Sequence, residues 1–477
     1  MRIQSPLTLI ILLVSLASLL LFWRINTRGI NSWDEARNGV NAYEMLQNGD
    51  PVNLYYGKEL DTWNAKPPLV IWMIAGCYSL FGANCFSLRL PSALCTIGFF
   101  IFIYLLTARS KDKRLALLTC GILLSCKAAI GTHLGLTGDF DAPLIFFLAA
   151  SAYYFFSYLQ EGKSRDLIIT AVFTGLAWYI KGLAGLLYLP GFFLFGTIRK
   201  GNLKWILKQE VFIACFILML VIISWIAMVA VYGKTNAVNH YASGNAIRTM
   251  LVEDTWHRLT SSSFEGGQAP DYFFFISVID ARLNLWNYLF YLSIGLGLYK
   301  ASRYRSQFYS LLRKDQNGLI LFAMCILVPP ALMLTFAANK YSWYLAPIFW
   351  AIAVITARGL LLLINRSKWV LFPVALLLVF GFGRQLFEIN QSANSDLIIP
   401  KSIFDKVDSI RTLGAIDQDI YLQLVWSVKA IFKCRLHDRI PYPRTLEIVD
   451  STMQGLNPAM LPPTICNVKN YLIGIWL

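Results

Sequence analysis

Long apolar runs separated by short polar segments make up most of the chain. A membrane-spanning helix needs about 20 predominantly apolar residues to cross ~30 Å of hydrocarbon. The pattern therefore predicts an all-α polytopic membrane protein with about eleven transmembrane helices. The predicted spans are residues 7–23, 90–107, 115–132, 142–159, 167–180, 183–197, 211–232, 285–299, 318–337, 343–363 and 369–384.

The composition agrees with a membrane protein, and the distribution of charge indicates which loops face the cytoplasm. The chain of 477 residues is 57% hydrophobic and 14% charged, whereas soluble domains are roughly 45–50% apolar and about 25% charged. A net charge of +15 would suggest nucleic-acid binding in a soluble protein. Here short segments beside the spans hold 19 Lys and Arg against 5 Asp and Glu. Such an excess marks cytoplasmic loops, so we predict a lipid bilayer as partner and no nucleic acid. The segments are residues 1–6, 108–114, 160–166, 198–210, 300–317 and 358–368.

The orientation depends on one ambiguous apolar segment, Pro67 to Phe81. If this segment crossed the membrane, the later basic loops would face outside. If it lies in the outer interface, all of them face inside, as the positive-inside rule requires. We therefore predict an interfacial helix on the outer face. The outer face then carries the long segments, which are residues 24–89, 133–141, 233–284 and 385–477.

Two domains follow from this division. We predict that residues 1–384 form a transmembrane domain, in which residues 24–89 are the first outer loop with its interfacial helices. Residues 385–477 are more polar, and their helix-like and strand-like stretches predict a small α/β domain on the outer face. Cys434 and Cys466 share this tail, and a disulfide between them and two unpaired thiols are both open.

Acidic residues stand at the predicted outer edge of the membrane in two places. Asp34 and Glu35 begin a predicted amphipathic helix, and Asp139 and Asp141 precede the span at residues 142–159. A carboxylate at the edge of hydrocarbon is costly and points to function. The alternative is a structural helix start, because acids cap helices and favour their first turn.

Basic residues lie on the same predicted face. Lys66, Lys181 and Lys340 each stand at an outer end of an apolar segment. Each alone is typical of an interface anchor. Together with the acids they predict a site for an anionic head group whose tail stays in the bilayer. Arg258 belongs to a charged cluster in the loop 233–284, which either covers this site or is an ordinary surface loop.

Six short motifs, taken in order, resemble the GT-C superfamily of polyprenyl-phosphate-sugar glycosyltransferases. Within it the chain is similar to bacterial relatives of protein O-mannosyltransferases and of the aminoarabinose transferase that acts on lipid A. The likeness runs from about residue 30 to 365 and is specific for the superfamily, not for the substrate. The motifs are Trp33-Asp34-Glu35-Ala36-Arg37, Lys66-Pro67-Pro68-Leu69, Arg89-Leu90-Pro91-Ser92-Ala93-Leu94, Thr137-Gly138-Asp139-Phe140-Asp141-Ala142, Lys181-Gly182 and Tyr344-Leu345-Ala346-Pro347.

The resemblance implies that Asp34 is the catalytic carboxylate, that Asp141 lines the same cavity and that Lys66 binds the lipid phosphate. We add Glu35 and Asp141 as catalytic candidates. The further candidate phosphate-binding residues are Lys181, Arg258 and Lys340, and the candidate substrate-cavity residues are Trp33, Arg37, Trp63, Asp139 and Tyr344.

A departure from the family concerns metal binding. The aminoarabinose enzymes carry a glutamate metal ligand before the lysine, whereas this chain has Ala65. A divalent metal is therefore left open, no other cofactor is expected, and the lipid A assignment is weakened.

The hypothesis is an integral membrane glycosyltransferase that acts on the periplasmic face of a bacterial inner membrane. It moves a sugar from a polyprenyl-phosphate donor to a hydroxyl of a lipid, glycan or protein, with Asp34 as general base and inversion at the anomeric centre. One alternative is a flippase for lipid-linked sugars, which predicts symmetric halves and charges along a path. A non-catalytic sensor or assembly protein is the other.

Overall fold

A computed structural model of the chain describes residues 5–28, 34–56, 59–61, 64, 66–234, 246–250, 252, 260, 271–304 and 315–395. These residues are mostly helical and include one two-stranded antiparallel sheet. The predicted helical membrane class is thus confirmed. The α/β domain predicted for the tail lies outside the described residues beyond Ser395 and stays a prediction.

The first half of the chain forms nine helices and the two short strands within the described residues. They are α1 Pro6–Phe22, α2 Asp34–Asn48, β1 Tyr55–Tyr56, β2 Glu59–Leu60, α3 Leu69–Phe81, α4 Cys85–Ala108, α5 Lys113–Leu124, α6 Asp141–Glu161, α7 Ser164–Lys181, α8 Leu189–Lys200 and α9 Gln209–Tyr232.

Among the described residues, the second half adds six helices, and four 3-10 helices connect elements along the chain. The helices are α10 Ala246–Arg248, α11 Phe274–Leu283, α12 Trp286–Arg303, α13 Asp315–Phe336, α14 Phe349–Arg366 and α15 Leu371–Ser395. The 3-10 helices are Gly182–Leu186, Lys204–Leu207, Ser342–Ile348 and Lys368–Val370.

Seven of the eleven predicted spans coincide with helical segments that are long and apolar enough to cross a membrane. The other four are shorter or less apolar, so the count of eleven stays a prediction. Among the described residues, the seven segments are Cys85–Ala108, Asp141–Glu161, Ser164–Leu186, Gln209–Tyr232, Gly318–Phe336, Ser342–Arg366 and Lys368–Ser392.

The predicted span 115–132 differs from the structure in its second half. Helix α5 ends at Leu124, and residues 125–140 form turns. The Ser125 hydroxyl donates to the Ile122 carbonyl over 2.9 Å, so it competes with the next turn of helix. The Lys127 N–H donates to the Arg282 carbonyl over 3.0 Å and so leaves the helical pattern. Hydropathy does not report individual hydrogen bonds, so the predicted span extended past the end of the helix.

Helix α3 covers most of the segment predicted to lie in the interface. It has 13 residues, which is short for a span and agrees with the choice made from charge placement. Helix α15, by contrast, continues past the predicted end at residue 384 as far as Ser395. The added residues are more polar than the span before them but include no proline or glycine, so the apolar run ends while the helix continues.

The chain divides into two compact units. The larger unit includes residues 5–23, 66–70 and the described part of 92–387, and the smaller one includes the described part of 24–61, then 71–91 and 388–395. In the larger unit α7 packs on α6 and α9, and α14 packs on α5, α12 and α13.

The core of the larger unit centres on Trp350, which is fully buried. Its indole Nε1 donates to the Tyr188 hydroxyl over 2.8 Å, and that hydroxyl donates to the Pro347 carbonyl. These bonds join the start of α8 to the 3-10 helix that precedes α14. A buried tryptophan and tyrosine with paired polar groups hold both elements in one arrangement.

The smaller unit depends on a buried ion pair between α2 and α4. Arg89 Nε lies 2.6 Å and Nη2 3.1 Å from the two carboxylate oxygens of Glu35. Arg89 Nη1 also donates to the carbonyls of Ile25 and Arg28, both over 2.9 Å. The two side chains are 1% and 0% exposed, so neither charge has water to replace its partner.

We expect Glu35→Gln to lower the free energy of unfolding by about 3 kcal/mol or more, because it leaves the buried Arg89 guanidinium without its counter-charge. The thermal unfolding midpoint of the purified full chain in detergent measures this. Glu161→Gln is the matched control, because Glu161 pairs with Arg109 but is 36% exposed, and its midpoint should stay close to wild type. Equal shifts for the two variants would contradict the structural role of the buried pair.

Candidate active site

A cavity of about 440 Å³ in the larger unit brings several of the proposed residues together. Its walls are mainly leucine, proline and methionine side chains from the 3-10 helix Gly182–Leu186, α8 and α13. Its polar groups include Lys66, Asp141, Lys181 and Tyr344. The cavity is therefore amphipathic, with charge among largely apolar walls.

Asp141 and Lys181 form an ion pair in this cavity. Lys181 Nζ donates to Asp141 Oδ1 over 2.7 Å, and the side chains are 16% and 6% exposed. Asp141 is the first residue of α6 and Lys181 the last of α7. An acid at a helix start and a base at a helix end are both stabilised by the backbone dipole. Gly182, at φ 53°, then redirects the chain into the 3-10 helix.

Lys66 is a second cation in the cavity lining. Its Nζ lies 5.0 Å from the centroid of the Phe140 ring and donates to Asn64 Oδ1 over 3.3 Å. Phe140 directly precedes Asp141, so the two lysines approach the same turn of chain. The prolines that follow Lys66 fix the local φ angles and help to present the side chain at this position.

Aromatic side chains surround this polar group. The Tyr344 ring centroid is 5.8 Å from Lys181 Nζ. The neighbouring Trp343 stacks on His133 with centroids 3.9 Å apart and on Tyr341 at 4.8 Å. Lys340 lies over the Tyr272 ring at 5.6 Å and is not among the residues that line the cavity.

Asp139 does not line the cavity either. It is buried, accepts a hydrogen bond from Thr137 Oγ1 over 2.7 Å, and lies 3.4 Å from His133 Nδ1. Its backbone carbonyl accepts from the Ser92 hydroxyl over 3.2 Å. These contacts give Asp139 a part in holding the loop that leads to Asp141.

Three further candidates lie in the smaller unit. Asp34 is the first residue of α2 and is partly buried. Glu35 is engaged by Arg89, as described above. Arg37 pairs with Asp61 through two bonds of 2.8 and 3.0 Å and lies 5.2 Å from the Tyr56 ring. Trp33, Trp63 and Arg258 lie outside the described residues.

Sequence reasoning missed two arginines. Arg89 was noted only as part of a motif, although a charge just before an apolar span is a signal for a buried partner. Arg282 lies in α11, two residues before Asn284, and donates from Nη2 to the Ser342 hydroxyl over 3.1 Å. An arginine at the outer end of a span runs against the positive-inside pattern and could have been found by that signal.

Comparisons with known proteins agree with the proposed superfamily. Residues 65–227 match the family of dolichyl-phosphate-mannose-protein mannosyltransferases. Over 402 residues the chain is 25% identical to the undecaprenyl phosphate-alpha-4-amino-4-deoxy-L-arabinose arabinosyl transferase of Shewanella sediminis, covering 77% of this chain and 65% of that protein. The chain thus spans just under two thirds of that relative.

Two solved structures share the fold. The crystal structure of ArnT from Cupriavidus metallidurans bound to undecaprenyl phosphate superposes with a TM-score of 0.59 at 16% identity, over 99% of this chain and 76% of that one. The archaeal oligosaccharyltransferase AglB of Archaeoglobus fulgidus, in complex with an inhibitory peptide and a dolichol-phosphate, gives 0.54 at 14% identity, over 92% and 61%. The family match, the named relative and the fold together support one class of membrane enzyme.

The cavity wall supplies a test of its own. A Cβ on Gly185 would overlap the backbone of Ala177 and Trp178, so Gly185→Ala should displace the 3-10 helix that lines the cavity. We expect a lower thermal unfolding midpoint for this variant than for the wild type, measured on the purified full chain in detergent.

Gly295→Ala is the matched control, because nothing lies within 4 Å of a Cβ there. In this helix interior, alanine should be neutral or stabilising by up to about 1 kcal/mol. A normal unfolding midpoint in Gly185→Ala would show that the wall is not packed as described.

Proposed function

We propose that the chain is a glycosyltransferase of the GT-C type that moves a sugar from a polyprenyl-phosphate donor to a hydroxyl acceptor. The acceptor is a hydroxyl of a lipid, a glycan or a protein. The observation that carries this proposal is the cavity in which Lys66 and Lys181 stand among apolar walls. A polyprenyl phosphate has the same two parts, an anionic head and a long apolar tail.

The chemistry of the lining fits each part of such a donor. Ammonium groups are compact point charges that bind phosphate oxygens. The leucine, proline and methionine walls remove an isoprenoid tail from water, which is favourable in proportion to the apolar area buried. The undecaprenyl phosphate in the ArnT structure and the dolichol-phosphate in the AglB structure are ligands of this class.

The positive charges of the cavity lining also favour catalysis of sugar transfer, in addition to binding of the donor. Among the described lining residues, Lys66 and Lys181 outnumber the carboxylate of Asp141. The donor is a phosphodiester with one negative charge, and the departing polyprenyl phosphate gains a second as its bond to the sugar breaks. Cations that attract this developing charge stabilise the transition state more than the bound donor, which is the requirement for catalysis.

We assign Asp34 as the general base on the basis of the family resemblance and its partly buried place at the start of α2. The acceptor oxygen attacks the anomeric carbon from the side opposite the phosphate. As the new C–O bond forms, the bond to the phosphate oxygen breaks and the acceptor proton passes to the Asp34 carboxylate. Polyprenyl phosphate leaves as the dianion, and the anomeric centre is inverted.

The structure favours different roles for the neighbouring acids. Because Glu35 is fully buried against Arg89, we propose that it positions the first outer loop rather than reacting. Asp141 holds Lys181, which gives it a binding role in the cavity. Lys340 and Asp139 do not line the cavity. We propose that Asp139 supports it through the loop at residues 133–141, and that Lys340 is an anchor held by the Tyr272 ring.

We propose that this chemistry takes place on the periplasmic face of a bacterial inner membrane. The basic inner loops support that orientation. Cys85, at the outer end of α4, is disulfide-bonded, which suits an oxidising compartment. We retain residues 1–384 as a membrane domain with eleven crossings and residues 385–477 as an outer domain.

Two substitutions should separate base from phosphate ligand. Asp34→Asn should lower kcat at least about 100-fold, the usual contribution of a general base, and leave the affinity for undecaprenyl phosphate nearly unchanged. Lys66→Met should instead raise KM for the donor about tenfold or more, because it removes a charge-assisted contact. The assay follows acceptor-dependent release of polyprenyl phosphate from a labelled polyprenyl-phosphate sugar by the full chain in nanodiscs, with envelope lipids, glycans and proteins as acceptors.

Lys300→Met, at the exposed inner end of α12, controls for the loss of a lysine and should behave as wild type. Wild-type rates for Asp34→Asn would show that Asp34 is not the general base. If the protein moves labelled donor across a vesicle bilayer and releases no polyprenyl phosphate with any acceptor, it is a flippase and the proposal is wrong.

A further inference from the structure

His133 has an uncommon backbone conformation at the start of the loop that leads to Asp141. Its φ of 64° lies in the left-handed region, which residues other than glycine adopt infrequently. Such a conformation costs energy and persists where surrounding contacts hold it. The imidazole is 20% exposed, so other parts of the protein cover most of its surface. The contacts of this side chain therefore show what holds the residue in place.

The imidazole contacts two elements. Its ring stacks on Trp343, with the centroids 3.9 Å apart and an interplanar angle of 28°. Its Nδ1 lies 3.4 Å from Asp139 Oδ2, on a carboxylate that is 3% exposed and also accepts a hydrogen bond from Thr137. Trp343 belongs to the 3-10 helix Ser342–Ile348, whereas Asp139 belongs to the same loop as His133. The imidazole therefore joins this loop to the 3-10 helix.

Both of the joined elements contact Lys181. The loop ends at Asp141, whose Oδ1 accepts a hydrogen bond from Lys181 Nζ over 2.7 Å. The 3-10 helix carries Tyr344, whose ring centroid is 5.8 Å from the same Nζ, within the range of a cation–π contact. Trp343 packs edge-to-face on Tyr344, with the centroids 6.4 Å apart. The contacts thus form a closed ring that includes Lys181, and the stack of His133 on Trp343 closes it.

This ring of contacts bears on phosphate binding. A lysine side chain is flexible, and ordering it when a ligand binds costs conformational entropy. A cation that is already held in its bound position avoids part of that cost. Lys181 is restrained by Asp141 from the loop and by Tyr344 from the 3-10 helix. Both restraints act together only while these two elements keep their spacing, which the imidazole stack maintains.

We propose that His133 is a positioning residue that locks the loop at residues 133–141 to the 3-10 helix and so places Lys181 for the phosphate. The inference rests on the proposed function, since it assumes that the cavity binds the phosphate of a polyprenyl carrier. His133 is not among the described residues that line the cavity, and it acts through Trp343. Because the stacked ring makes this link, a residue that fits the loop but lacks a ring should not replace it.

His133→Asn separates the ring from the backbone conformation. Asparagine adopts the left-handed region readily, and its amide nitrogen can take the place of Nδ1 beside Asp139. It has no ring to stack on Trp343. We expect a thermal unfolding midpoint close to wild type and binding of undecaprenyl phosphate that is about five- to tenfold weaker. His133→Phe keeps a ring, so its affinity should stay within about threefold of wild type.

The measurement is native mass spectrometry of the full chain in detergent, which counts the bound lipid, with unfolding midpoints taken in the same detergent. Undecaprenol, which lacks the phosphate, should bind equally to wild type and His133→Asn. In a Trp343→Leu background the stack is already absent, so His133→Asn should change the affinity for undecaprenyl phosphate less than about twofold.

Lys111→Asn is the matched control. Lys111 also has a left-handed φ, 61°, but it is exposed in the turn between α4 and α5 and does not line the cavity. This variant should bind both lipids as wild type does.

Each outcome decides the proposal. If His133→Asn unfolds at a lower temperature and loses affinity for undecaprenol as well, His133 only supports the fold. Wild-type affinity of His133→Asn for undecaprenyl phosphate, an equal loss in His133→Phe, or additive losses with Trp343→Leu would each overturn the inference. If wild type binds undecaprenyl phosphate no better than undecaprenol, the proposed function itself is wrong. Binding that Lys66→Met weakens and His133→Asn leaves unchanged overturns the inference alone.

Discussion

The ion pair between Asp141 and Lys181 is the interaction on which the candidate site depends. Two opposite charges lie in a mostly apolar cavity, where each would be costly without the other. Asp141 is the first residue of α6 and Lys181 is the last residue of α7. Because these two helices pack on each other, their ends bring the two side chains together. The pair keeps a cation available beside apolar walls that suit a lipid tail.

The sequence predicted the helical architecture wherever the length of an apolar run decided the structure. Long apolar runs predicted the seven segments that are able to cross a membrane, and the placement of basic loops favoured an interfacial place for Leu69–Phe81. The rule failed where individual hydrogen bonds, short-range and long-range, ended a helix within an apolar run. Helix α5 stops at Leu124 because Ser125 and Lys127 find other partners, one of them on α11, more than 150 residues away in the chain. Hydropathy carries no information on such contacts.

The sequence predicted those site residues that stand at an end of an apolar segment. Lys66, Asp141 and Lys181 were chosen because a charged side chain stood at an outer end of an apolar segment, and Tyr344 because it belongs to a motif that resembles the superfamily. All four line one cavity. Placement alone could not separate a reactive acid from a structural one. Glu35 stands next to Asp34 in the sequence, yet its partner is Arg89, and only the fold shows that pairing.

The central claim is that this cavity holds the phosphate of a polyprenyl carrier. The most direct measurement is an experimental structure of the full chain in nanodiscs with undecaprenyl phosphate. We expect its phosphate oxygens to lie roughly 2.7–3.2 Å from the Nζ atoms of Lys66 and Lys181, with the tail along Pro329 and Met333 of α13. A phosphate bound outside the cavity, for example against the basic inner loops, would contradict the claim.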